Sequence, residues 1–132
     1  MRGVVMAEKL VLDAFEFYDC WLLFSIGFNK RGSTLKGIIS SGDSYNHSAF
    51  SLDELNYGMS KLVGNGYVVT SNKRFMTTEK ARNFYNTHKI KNEGHIATLF
   101  RMAPLFQKEP AIKDCALTIW FKKDANGKIS TV

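Results

Sequence analysis

Residues 52–85 read LDELNYGMSKLVGNGYVVTSNKRFMTTEKARNFY, and this stretch decides the fold. Leu52, Leu55, Met59 and Leu62 recur at 3-4-3 spacing, the signature of one helical face. Just ahead of them, Ser51 stands at the N-cap and Glu54 at N3, an S-x-x-E capping box. Phe50 at N′ is placed to pack on Leu55 as a hydrophobic staple. Gly64 and the Asn65-Gly66 pair stop this helix. The period then changes from 3.6 to 2. Tyr67–Thr70 and Arg74–Thr77 are short β runs around a Ser71-Asn72-Lys73 turn, which predicts a hairpin with a polar, basic tip. Thr77 is expected to cap a further helix over about Thr78–His88, with Glu79 in its first turn.

Upstream, a first helix is expected over about Glu8–Ile26. Lys9, Asp13, Glu16 and Asp19 share one stripe, and Leu10, Val11, Ala14, Phe15, Phe17, Tyr18, Trp21, Leu22 and Phe24 surround it. An apolar arc that wide belongs to a helix covered on two sides. Gly27 and Asn29–Gly32 end it. A short second helix follows, capped by Ser33 or Thr34, with Leu35, Ile38 and Ile39 buried and Gly42 at C′. Asp43–Ala49 reads as a loop. Downstream, Lys89–Gly94 is a polar break, and His95–Met102 is helical until Pro104 interrupts it. Residues 110–125 admit two readings. Pro110 at N1, Ile112, Cys115, Ala116 and Ile119 on one face and Gly127 beyond the end favour a helix. The alternation of Leu117, Ile119 and Phe121 with Thr118 and Trp120 leaves a strand over Ala116–Phe121 open.

The 132 residues suffice for one domain with a core. The net charge of +6 is uneven. Residues 1–60 carry five basic and seven acidic side chains, and residues 61–132 carry thirteen and five. A basic half of this kind suits a polyanionic partner. Cys20 and Cys115 stand far apart without metal-ligand spacing, so two reduced thiols and a cytoplasmic location are expected. No targeting signal is visible, and the most apolar stretch, Leu10–Phe28, contains Asp13, Glu16 and Asp19. Each such charge costs about 2.5 kcal/mol or more at a bilayer centre, so no membrane span is expected. No phosphate-binding loop, dinucleotide fingerprint or Ser/His/Asp motif occurs. Asp43 and His47 share a loop without a partner nucleophile, and Gly94 separates His88 from His95. The expectation is a chain that is not an enzyme and takes no cofactor or metal.

The order helix, helix, helix, hairpin, helix resembles a winged-helix domain, and residues 52–85 resemble the MarR/PadR-like pattern. Leu62, Gly66, Tyr67 and Val68 match its Leu-x-x-x-Gly-Tyr-Val helix end. Phe75, Thr78, Glu79, Lys80 and Arg82 match the close of its wing. The similarity spans roughly residues 13–86. Ala81 replaces a usual glycine, and the loop before Phe50 is longer than a tight helix-turn-helix turn. The resemblance implies an α+β, mostly α fold: a winged helix-turn-helix core in residues 1–88, and a C-terminal helical extension in residues 89–132 on the same core or at a dimer interface.

It also implies a DNA-binding transcriptional regulator. Asn72, Lys73 and Arg74 at the wing would contact phosphate, with accessory help from Lys30, Arg31 and Lys36. Tyr57 and Lys61 are the third-helix candidates. That helix's outward face, Asp53, Glu54, Tyr57 and Lys61, has net charge −1 and no arginine for guanine. The alternative is a winged-helix module that binds protein and not DNA. The surplus of apolar side chains at Phe15, Tyr18, Trp21, Leu22, Trp120 and Phe121 predicts a homodimer through the first helix and the C-terminal segment, the alternative being a C-terminal helix that folds back over the first helix within one chain.

Overall fold

The structure, a computed structural model, describes the backbone of residues 5–10 and, in full, residues 14–112 and 115–132. Five helices and three small antiparallel sheets among these residues make an α+β fold. Helix α1 (Phe17–Ile26) begins where the Asp19 carboxylate accepts the backbone N–H of Glu16 at 2.7 Å. Every residue from Asp19 to Ile26 is buried, as the wide apolar arc requires. The helix is shorter than expected. Val5–Leu10 instead forms strand β1, and Val11–Asp13, also assigned to that helix, lie outside the described residues.

Strand β2 (Ser33–Thr34) precedes α2 (Leu35–Asn46), whose cap is Thr34: its Oγ1 accepts the Gly37 N–H at 3.4 Å. Helix α2 runs through Gly42 and over much of the expected loop, ending at His47 in the left-handed region. Gly42 is therefore no C′ residue. A Cβ there would strike the Phe50 ring, which stacks on Trp21 with centroids 3.7 Å apart. The Trp21 indole N–H donates to the Gly42 carbonyl at 2.9 Å.

Helix α3 (Leu52–Gly64) carries the capping box as read, with bonds of 3.0 and 2.8 Å between Ser51 and Glu54. Strands β3 (Val68–Ser71) and β4 (Arg74–Thr77) pair antiparallel, Val68 against Thr77 and Ser71 against Arg74. β2 joins the other edge of β4, giving the order β2-β4-β3. Helix α4 (Glu79–His88) is preceded by Thr78, not Thr77, whose hydroxyl donates to the Gly27 carbonyl at 2.9 Å.

Helix α5 (His95–Gln107) passes through Pro104 instead of stopping. Leu99, Met102, Ala103 and Phe106 are buried on both sides of the proline, which is itself exposed. Tertiary burial of that face outweighs the missing N–H. The expected C-terminal helix is replaced by strands. β5 (Cys115–Thr118) pairs antiparallel with β1, and β6 (Phe121–Lys123) pairs with β7 (Ile129–Thr131). Lys113 and Asp114, part of the expected helix, lie outside the described residues. Among the described residues no helix is long and apolar enough to cross a membrane.

Candidate functional site

The hairpin tip is a two-residue turn in which Asn72 and Lys73 both have positive φ, 51° and 62°. Two left-handed residues in succession give the turn that matches strand twist. Arg74, the first residue of β4, then reaches sideways. Its guanidinium donates to the carbonyls of Arg31 at 3.2 Å and Gly32 at 3.1 Å. The loop it grips is shaped from within. The Asn29 side-chain oxygen accepts the N–H groups of Arg31 and Gly32 at 2.9 and 3.1 Å. Gly32 has φ +70°, and a Cβ there would collide with the Phe75 carbonyl and the Met76 side chain. Only glycine lets this loop lie on β4.

These contacts gather Lys30, Arg31, Lys73 and Arg74 at one corner, all exposed together with Asn72. Lys36, exposed in the first turn of α2, follows directly from the strand that pairs with β4. Residues 28–37 and 68–77 hold five cations and no acidic side chain. The wing residues and Arg31 are thus joined through Arg74, and Lys30 and Lys36 lie exposed in the segment that pairs with β4. The Arg74 bridge was not foreseen, although Asn29-x-x-Gly32 is a turn signal that could have pointed to it.

The third-helix candidates separate. Tyr57 is half-buried on the α3 surface. Lys61 is 1% exposed and pairs with the equally buried Asp19, Nζ to Oδ2 at 2.6 Å, so it does not belong to an outward face. Its ammonium also donates to the Tyr18 hydroxyl at 3.3 Å. Burial pushes the Asp19 carboxyl above its ordinary pKa, and the Lys61 ammonium acts against that shift.

The next stripe of α3 is covered as well. The Asn56 Oδ1 accepts the N–H groups of Trp120 and Phe121 at 2.9 and 3.0 Å, and its Nδ2 donates to the Phe121 carbonyl at 3.1 Å. The Ser60 hydroxyl exchanges hydrogen bonds with the backbone of Thr118. The thiol of Cys115 donates to the Ser60 carbonyl and sits over Gly64, where a Cβ would have no room. The C-terminal strands therefore occupy the Asn56–Ser60–Gly64 face.

The residues expected at a dimer interface are consumed within one chain. Phe15, Trp21, Leu22, Trp120 and Phe121 are all buried, and Tyr18 is half-buried. Phe15 packs on Tyr67 and Phe106, and Phe121 packs on Phe75. The chain covers its own apolar surplus, so that surplus is no ground for a partner copy.

A cleft between α4 and the chain after α5 is lined by Tyr67, Lys80, Phe84, His88 and Glu109. Lys80 is engaged there, donating to the Asn65 carbonyl at 2.8 Å and lying over the Tyr67 ring. Burial, with the nearby Glu109 carboxylate, pushes the Tyr67 hydroxyl up to about 12, far from a group that exchanges protons at neutral pH. His88 packs at a tilt against Phe84 and His95 edge-on against Tyr45, the two histidines lying in different helices. Among the described residues no three His, Cys, Asp or Glu side chains could share a metal ion. No family model matches the chain, and no curated protein or solved structure matches it either.

Proposed function

We propose that this chain is a winged-helix protein that binds duplex DNA through phosphate contacts at the wing, without reading bases through α3. In this reading β3–β4 is the wing, and β2, α2 and α3 complete the winged-helix core. The observation that carries the proposal is the Arg74 bridge to Arg31 and Gly32, which joins the cation-bearing loop 29–32 to the basic hairpin tip in two segments without an acidic side chain. Clustered exposed cations gain affinity by releasing counterions from phosphate, without sequence information. The negative outward face of α3 and the strands packed over its Asn56 stripe argue against a helix inserted in the major groove. A regulator of this kind would grip duplexes of any sequence.

Fluorescence anisotropy with a random-sequence duplex tests this. Binding is expected to weaken steeply with salt. The double variant Arg31→Gln/Lys73→Gln should flatten the salt slope by about two units, close to one per lost contact. It should weaken binding to every sequence alike. Absence of binding at low salt would sink the proposal. The covered α3 face favours one second reading, a winged-helix module for protein partners, and that outcome would promote it.

A further inference from the structure

The C-terminal hairpin was not visible in the sequence, and it places three further lysines. Lys122, Lys123 and Lys128 are all exposed on β6–β7 and its turn. The hairpin holds one acidic residue, Asp124, whose carboxylate is turned onto its own backbone. Its Oδ1 accepts the N–H groups of Asn126 and Lys128, each at 2.9 Å, which closes the turn around Gly127 at φ 80°. The tip thus presents cations, while its single carboxylate builds the loop.

The root of this hairpin is shared with the β3–β4 hairpin. Phe75 of β4 packs against Phe121 and Trp120, with ring centroids 5.4 and 6.1 Å apart. Asn56 pins the same two residues to α3 through three hydrogen bonds. The root is therefore an aromatic cluster anchored to α3, and each arm is only a few residues long. At about 3.4 Å per residue, the two tips stand at most about 30 Å apart. One turn of duplex DNA rises about 34 Å, so both tips fit within a single turn.

We propose that β6–β7 is a second phosphate-binding arm, which grips the same duplex as the β3–β4 hairpin. This rests on the DNA-binding reading above and extends it to residues that the winged-helix resemblance does not include. The partner is a double-stranded nucleic acid because two separate basic tips on one shared root match an extended, evenly charged backbone.

The test uses the full chain, a random duplex of about two turns, and a salt titration of the wild type, Lys122→Gln/Lys123→Gln/Lys128→Gln, and Arg31→Gln/Lys73→Gln. All the substituted side chains are exposed, and unchanged circular dichroism and Tm will show that the folds are intact. Lys122 and Lys123 are neighbours on β6 and face opposite sides, so the triple variant is expected to lower the salt slope by about one to two units and to weaken binding about 5- to 30-fold near physiological salt. If the wild type binds and the triple variant matches it in slope and affinity, the second arm is wrong and the wing reading stands. If the wild type binds no duplex, both fall. If it binds polyglutamate but not the duplex, the partner is an acidic protein and both are again overturned.

Discussion

Lys61 shows how much one residue depends on context. By its position in the helix it belongs beside Tyr57, but it is closed off against Asp19 and Tyr18. Gly58, one turn earlier on α3, makes room for this: a Cβ there would press on Leu22 and on the Asp19 carboxylate, at 2.9 and 3.1 Å. A buried ion pair adds little net stability, but removing one partner strands the other charge. Lys61→Met should therefore destabilise the fold by about 3–5 kcal/mol in urea denaturation. Asp19→Asn/Lys61→Met, which keeps a polar group facing the Glu16 N–H, should lose less than Lys61→Met alone. A double-variant loss equal to the sum of the Asp19→Asn and Lys61→Met losses would show that the pair is not coupled. Neither change should alter the salt slope of DNA binding, because Lys61 reaches no phosphate.

At the scale of elements, the β3–β4 hairpin separates stability from binding. Lys73 holds φ 62° in a turn that prefers Asn-Gly, and a side chain in that region costs about 1 kcal/mol. Lys73→Gly should raise stability by about 0.5–1 kcal/mol, read as a higher Tm. The same change removes a cation from the corner and should reduce the salt slope by about one unit. A variant that is more stable and binds less tightly would assign Lys73 to recognition. Unchanged binding would remove it from the interface. The adjacent loop has the opposite character, since Gly32 is confined by β4 and cannot gain a side chain without lifting away.

For the whole molecule, the C-terminal strands are tied to the helical core through α3. Asn56 makes three hydrogen bonds to Trp120 and Phe121 inside the protein. Asn56→Ala would leave three buried backbone groups unsatisfied and should cost about 2–4 kcal/mol. Hydrogen exchange should then quicken in β6 and β7 before it does in α1. Exchange that rises evenly would show that the C-terminal strands do not depend on this anchor. Because Phe15, Trp21, Leu22, Trp120 and Phe121 are buried within one chain, light scattering at micromolar concentration should return the monomer mass of 14.9 kDa. Twice that mass would place an interface on other residues, with the half-exposed Phe100 against Phe17 the first to test.

Local signals carried most of the middle of the chain. The Ser51–Glu54 box, the Leu52–Leu62 spacing and the switch to period 2 at Gly66 are short-range effects, and α3, β3, β4 and α4 formed where they point. The cations at positions 30, 31, 36, 73 and 74 could be named from the sequence too, because exposed turns leave charged residues solvated. The ends of the chain were decided by partners distant in sequence. Strand β1 exists because it pairs with β5, more than a hundred residues away, and no local pattern encodes that pairing. Helix α5 persists through Pro104 because its apolar face is buried on both sides, and Gly42 lies inside α2 because the Phe50 ring fills the place of a side chain there. Tertiary structure alone turned Lys61 inward, joined the Arg31 loop to the hairpin tip through Arg74 and set a second basic hairpin on Phe75. Each of these outcomes depends on which surface remains after the core has closed.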